Sequence, residues 1–212
     1  SMRLMEASLR RAGHRVRDWG LGQNTGEAKQ LRMRLAPIVE DSMRAHGEPV
    51  VLVGWSLGGF IAREYAREHP DHVRKVITLG SPVTFDRAGS QSPPLVKALY
   101  RLISHPMGTT AHLAQSRAKY LLRPKALPVP ISCIYSLTDG VVPPQEATID
   151  ANPALHENIR VPGSHLGLGF NALVLWIVAD RLAQPEGQWQ PFVPSGLTGR
   201  VYRLMTGQPM AA

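Results

Sequence analysis

The run Pro49-Val-Val-Leu-Val-Gly-Trp-Ser-Leu-Gly-Gly-Phe-Ile-Ala-Arg-Glu-Tyr-Ala66 constrains what this chain can fold into more than any other stretch. Val50 to Val53 is a continuous apolar run, the pattern of a strand buried on both faces, as in a parallel sheet covered by helices. The chain then turns through Gly54-Trp-Ser-Leu-Gly-Gly59 and continues as a helix whose apolar positions are Phe60, Ile61 and Tyr65. A Gly-x-Ser-x-Gly run between a strand and a helix sets its serine at the tip of a tight turn. Backbone there is strained, and side chains two residues away on either side would collide with the serine. Gly54 and Gly58 are expected to remove those side chains, and Gly59 to let the helix lie close to the strand. Ser56 then stands above the sheet at the positive end of the helix, where the Leu57 N–H points at the position an oxyanion would take.

A hydroxyl is a weak nucleophile until a base takes its proton, and that base needs an orienting acid. Two later strand ends offer partners. Ile131-Ser-Cys-Ile-Tyr-Ser136 reads as a buried strand and runs into Leu137-Thr-Asp-Gly-Val-Val-Pro-Pro144, which puts Asp139 just past its end. His156-Glu-Asn-Ile-Arg-Val161 reads as the next strand and ends in Pro162-Gly-Ser-His-Leu-Gly-Leu-Gly169, with His165 in that loop. Ser56, Asp139 and His165 thus all fall at the carboxyl ends of strands, where open α/β sheets place their sites. Asp86 is a rival acid by its loop position. Of the other histidines, His14, His46, His69 and His72 read as surface residues, His105 and His112 lie in an insertion, and His156 opens a strand away from the site. Trp55, Leu166 and Leu168 flank the candidates and could contact a substrate.

With these residues in place the chain resembles the α/β-hydrolases, and among them bacterial serine esterase- and lipase-like members. The residues that carry the likeness are Gly54-Trp-Ser-Leu-Gly-Gly59, Thr78-Leu-Gly-Ser-Pro82, Thr138-Asp-Gly-Val-Val-Pro143 and Gly163-Ser-His-Leu-Gly167, and it spans about Leu9 to Pro191. The resemblance implies Ser56 as nucleophile, His165 as base, Asp139 as orienting acid and the Leu57 N–H as one of two oxyanion donors. No metal-ligand spacing is present, and no cofactor or metal is expected. The expected fold is α/β, a mostly parallel sheet flanked by helices with a helical cap insertion. Members of this family normally have a strand before the first helix seen here, ending in a loop that supplies the second oxyanion N–H. The sequence opens at that helix, so this strand is expected to be absent. The usual strand order would set it between strand-like residues 14–19 and the strand at 50–53.

Composition narrows the alternatives. At 212 residues the chain is expected to form a single domain over 1–212, with a cap over about 83–128 and a tail from about 184. Lys and Arg exceed Asp and Glu by 24 to 16, a net +8 that raises a nucleic-acid reading, but no nucleic-acid motif is present and aromatics make up only 6%. No apolar run reaches the 18 or so residues of a membrane span, and Ser1-Met-Arg-Leu-Met-Glu6 carries no apolar signal core. The lone Cys133 excludes an internal disulfide and suggests a reducing, cytoplasmic setting. Cys133 itself lies in a buried strand and reads as core.

Residues 3–12 and 27–46 read as helices, the second with Leu31, Leu35, Ile38, Val39 and Met43 at helical spacing. His14 to Trp19 alternates as a strand, Gly20 to Gly26 as a loop near the site, and Val73 to Leu79 as a further strand. Leu95, Leu99, Leu102 and Ile103, then Leu113, Tyr120, Leu121 and Leu122, outline two cap helices over an apolar pocket. Between Asp86 and Asp139 there are seven Lys or Arg and no acid, read as a solvated basic face. Phe170 to Ala183 is the last helix the fold needs, and the tail holds a short helix at Leu197–Met205.

The function expected is hydrolysis of a carboxylic ester with an apolar part, through an acyl-enzyme on Ser56. Acyl transfer by the same groups is an alternative, as is a non-catalytic binding protein of this fold lacking an oxyanion donor. The expected partner is a small-molecule or lipid ester, with no nucleic acid and no integral membrane segment.

Overall fold

The computed structural model describes residues 2–20, 28–84, 127–150, 152 and 154–207. Among these residues four parallel strands form one sheet in the order β1 (Val50–Trp55), β2 (Val73–Leu79), β3 (Ile131–Tyr135) and β4 (His156–Arg160). The helices are α1 (Arg3–Arg11), α2 (Ala28–His46), α3 (Leu57–Glu68), the single turn α4 (Pro144–Ala147), α5 (Ala172–Ala183) and α6 (Gly196–Thr206). Each strand expected at 50–53, 73–79, 131–136 and 156–161 is present. The cap at 83–128 and the loop at 20–26 fall almost wholly outside the described residues, as do Asp86, His105 and His112.

Strand alternation divides the core between the two faces of the sheet. Val76, Ile131 and Cys133 point to one face and pack with Leu31, Leu35 and Val39 of α2 and Ile61, Ala62, Tyr65 and Ala66 of α3. Ile77, Leu79, Ile134 and Ile159 point to the other and pack with Met5 and Leu9 of α1, Val174, Ile177 and Val178 of α5 and Tyr202 of α6. The four-residue spacing of Leu31, Leu35 and Val39 is the helical stripe that seats α2, although Pro37 lies inside that helix.

The expected strand at 14–19 is not formed, and these residues are irregular. Its period-two alternation suits an extended run, but a strand needs a hydrogen-bonded neighbour. In the described sheet β1 is an end strand, paired only with β2. Side chains hold the segment instead. The Arg10 guanidinium donates to the Val16 carbonyl at 3.0 and 3.2 Å, and Arg17 pairs with Asp41 of α2 at 2.6 Å. Val16 and Trp19 lean on opposite core clusters.

One polar group is built into the second face. Lys75 of β2 donates to the Arg181 carbonyl at 2.8 Å and to the Gln184 side chain at 2.6 Å. The Arg181 guanidinium pairs with Glu157 of β4 at 3.2 Å and donates to the Gln190 carbonyl at 2.7 Å. Glu157 also accepts from Ser132 and from the Phe192 N–H. A buried charge must be paired and hydrogen-bonded, and here the pairing fixes residues 184–192 across the end of α5. Burial, with the positive Arg181 close by, pulls the Lys75 ammonium down to about 8.

Candidate active site

Ser56 sits between the last residue of β1 and the first of α3 with φ 56° and ψ −130°. Among the described residues it is the sole non-glycine with positive φ. Such a conformation costs of order 1–3 kcal/mol and persists only where the surroundings impose it. The glycines show how. A Cβ on Gly54 would come within 2.4 Å of Gly59 backbone, and one on Gly59 would lie 2.1 Å from Ser81 Oγ and 2.8 Å from the Gly54 carbonyl oxygen. Strand and helix therefore touch at Gly54 and Gly59. Gly58 departs from expectation, since a Cβ there would meet nothing within 4 Å. The crowding that the sequence motif assigns to Gly58 falls on Gly59.

Leu57 opens α3, so its N–H belongs to the first turn, whose donors have no acceptor within the helix. That leaves it available to an oxygen in front of Ser56, at the positive end of the helix.

His165 and Asp139 meet. His165 Nδ1 lies 2.8 Å from Asp139 Oδ2, with both side chains almost fully buried. Asp139 Oδ1 is occupied separately, accepting from the Val141 and Val142 N–H groups at 2.8 and 2.9 Å. These two main-chain bonds fix the carboxylate plane and aim the other oxygen at the imidazole. A neutral imidazole that donates from Nδ1 presents Nε2 as a base.

The two loops are tied to each other and to the elbow. Thr138 Oγ1 donates to the Gly163 carbonyl at 3.1 Å, joining the Asp139 loop to the His165 loop. Asn171 donates from its amide to the Pro162 carbonyl at 2.8 Å while its Oδ1 caps α5 by accepting from the Leu173 N–H at 2.9 Å. The Trp55 indole N–H donates to the His165 carbonyl at 3.0 Å, and its ring centroid lies 5.5 Å from the imidazole. The residue before Ser56 thus holds the histidine directly. The Ser56 N–H in turn donates to the Leu79 carbonyl at 2.9 Å.

Gly80 closes this circle, and sequence reasoning did not assign it a role. It has φ +51°, and a Cβ there would lie 2.7 Å from Asp139 Oδ2, 2.7 Å from Leu168 Cδ1 and 3.3 Å from His165 Nδ1. The strand ending Leu79-Gly80 is bonded to Ser56 on one side and packed beneath the Asp139–His165 pair on the other. The available signal was the glycine immediately after a buried strand, in the run Thr78-Leu-Gly-Ser-Pro82.

The other expected residues separate. Trp55 is half-buried against His165, Leu166 is exposed, and Leu168 is fully buried in the core beneath Gly80. His156 is buried away from this loop cluster, with Nε2 3.1 Å from the Leu127 carbonyl. His69 and His72, expected at the surface, are half-buried and stacked on each other, with the His72 ring 2.9 Å from the Tyr65 hydroxyl.

Known proteins agree with this architecture. A family model described as the alpha/beta hydrolase fold matches residues 20–102. Among solved structures, one from the metagenome-derived lipolytic enzymes LipS and LipT is 17% identical, over 85% of this chain and 86% of that one, with a TM-score of 0.60. A lipase-esterase related protein from Clostridium acetobutylicum is 17% identical over 80% and 79%, with a TM-score of 0.51. Lipase B of Aspergillus fumigatus is 16% identical over 77% of this chain and 43% of its own, with a TM-score of 0.59. Strand order, elbow and these likenesses show that the chain has the alpha/beta hydrolase fold. Among the described residues no helix is long and apolar enough to cross a membrane.

Proposed function

We propose that the protein is a serine hydrolase of carboxylic esters, acting through Ser56, His165 and Asp139. The observation that carries this reading is the buried Asp139–His165 hydrogen bond of 2.8 Å, tied through the Trp55 indole to the elbow that holds Ser56 in positive-φ backbone. His165 Nε2 takes the Ser56 proton as Oγ attacks the ester carbonyl. Asp139 steadies the imidazolium that forms. The Leu57 N–H stabilises the oxyanion, and such a donor is worth roughly 10²–10³ in turnover. Collapse of the tetrahedral adduct returns the proton to the leaving alcohol and leaves an acyl group on Ser56. Water, deprotonated by His165, then releases the acid. The related structures named for lipase or esterase activity support an ester with an apolar acyl or alcohol part, bound beside Trp55 and Leu166.

Active-site titration with a fluorophosphonate tests the reading. The protein is expected to label at one equivalent, and Ser56→Ala to take up none. A well-folded protein that fails to label would remove the catalytic reading and favour a binding protein of the same fold.

A further inference from the structure

Helix α6 is apolar on the wrong side. Its inward face is already committed: Tyr202 is buried and donates from its hydroxyl to the Arg160 carbonyl at 2.9 Å. Gly199 lies so close to Pro194 backbone that a Cβ would come within 2.5 Å of it. At 3.6 residues per turn, Leu197, Val201, Leu204 and Met205 fall within an arc of about 100° on the opposite side. They are exposed by 78, 45, 86 and 49%. A single exposed leucine is ordinary, but a stripe along a whole helix marks an interaction surface.

The charge around the stripe selects its partner. Arg200 is exposed beside the stripe, and Arg203 lies one turn further round, half-buried, donating to the Pro194 carbonyl at 2.7 Å. No Asp or Glu occurs after Glu186. The stripe also continues toward the catalytic loops. Met205 and Thr206 border a depression of about 180 Å³ whose other side includes Leu137 and Thr138, next to Asp139. Leu137 is 58% exposed.

We propose that the outer face of α6 is an interfacial helix that seats on an anionic phospholipid surface. Leu197, Val201, Leu204 and Met205 enter the acyl boundary while Arg200 meets the headgroups. Resting on the ester-hydrolase reading, this extends it to a substrate class: the esters met by the site are those dissolved in a membrane or similar lipid phase.

The test is co-sedimentation of the whole chain with vesicles of phosphatidylcholine containing one-third phosphatidylglycerol, and with phosphatidylcholine alone. Wild type is compared with Leu197→Glu/Leu204→Glu and with Arg200→Glu. Light scattering without lipid is run on each, and circular dichroism confirms that these surface substitutions leave the fold intact. At least tenfold tighter binding to the anionic vesicles is expected, with at least a tenfold loss in the double variant and a smaller, salt-sensitive loss in Arg200→Glu. Equal binding to both vesicles, binding that the double substitution leaves unchanged, or no binding overturns the proposal. So does a wild-type dimer that the double substitution splits without any vesicle binding, which would assign the stripe to a second copy. Hydrolysis of a short water-soluble ester reports separately on the site. Vesicle binding with no ester turnover would keep the docking surface and remove the hydrolase reading.

Discussion

A glycine held at φ +51° under a carboxylate and an imidazole does two things at residue 80. It makes the turn after β2, and by lacking a side chain it lets Asp139 Oδ2 and His165 Nδ1 come together above it. Gly80→Ala would force a methyl to within 2.7 Å of that carboxylate oxygen while also straining the backbone by about 1–2 kcal/mol. If the pair is catalytic, a misplacement of about 1 Å costs up to about 10² in rate. On the reading proposed above, kcat of Gly80→Ala is expected to fall ten- to a hundredfold with KM nearly unchanged, measured on a soluble ester. A fall in KM alone, or kcat within twofold of wild type, would show that Gly80 does not position the pair. Ser56, Asp139 and His165 were legible as candidates because each follows a recognisable strand into a loop with turn residues. Gly80, Thr138 and Asn171 were not. Their roles depend on neighbours 59, 25 and 9 residues away that only the folded backbone brings near.

At the scale of elements, the four strands stood out because each is a short run closed by a turn, largely apolar in β1 and β3 and mixed in β2 and β4, and α2 because its apolar residues repeat at helical spacing. Residues 14–19 failed for a different reason. Alternation is a property of the segment itself, whereas a strand is a property of a pair, and β1 is paired on the other side. The Lys75 cluster joining β2, β4 and α5 was equally hidden, since a lysine inside an apolar strand reads as an exception until Glu157 and Arg181 are placed beside it. That cluster has a pH signature. With its folded pKa lowered to about 8 from 10.5, Lys75 is charged in both states below about pH 8, and its burial penalty is then felt in full. Between about pH 8 and 10.5 the unfolded chain holds a proton that the folded protein has released, so folding stability rises with pH through this window. Cys133 acts in the opposite sense above its unfolded value, because burial raises its thiol to about 12. The difference between wild type and Lys75→Met isolates the lysine. In urea melts, wild type is expected to gain stability relative to Lys75→Met from pH 8 to 10, and a flat difference would mean that Lys75 titrates normally.

Across the whole molecule, the sheet separates two cores, and the two halves of the site are anchored to different structures. Ser56 is fixed by the elbow between β1 and α3, while His165 and Asp139 ride on the loops after β4 and β3. Trp55 is a direct tie between them, donating its indole N–H to the His165 carbonyl. The same contact sets the Trp55 indole against the His165 imidazole. An excited indole loses its emission to a protonated imidazole at close range, and these rings are 5.5 Å apart. Trp55 emission is therefore expected to be dimmer when the His165 imidazole carries a proton than when it is neutral. Trp55→Phe would remove the responding signal, and His165→Gln would leave the emission flat with pH. A wild-type emission that ignores pH, or a change that survives both substitutions, would place the responding group elsewhere. The protonation state of the candidate base can thus be followed in light, with no substrate, probe or label in the cuvette.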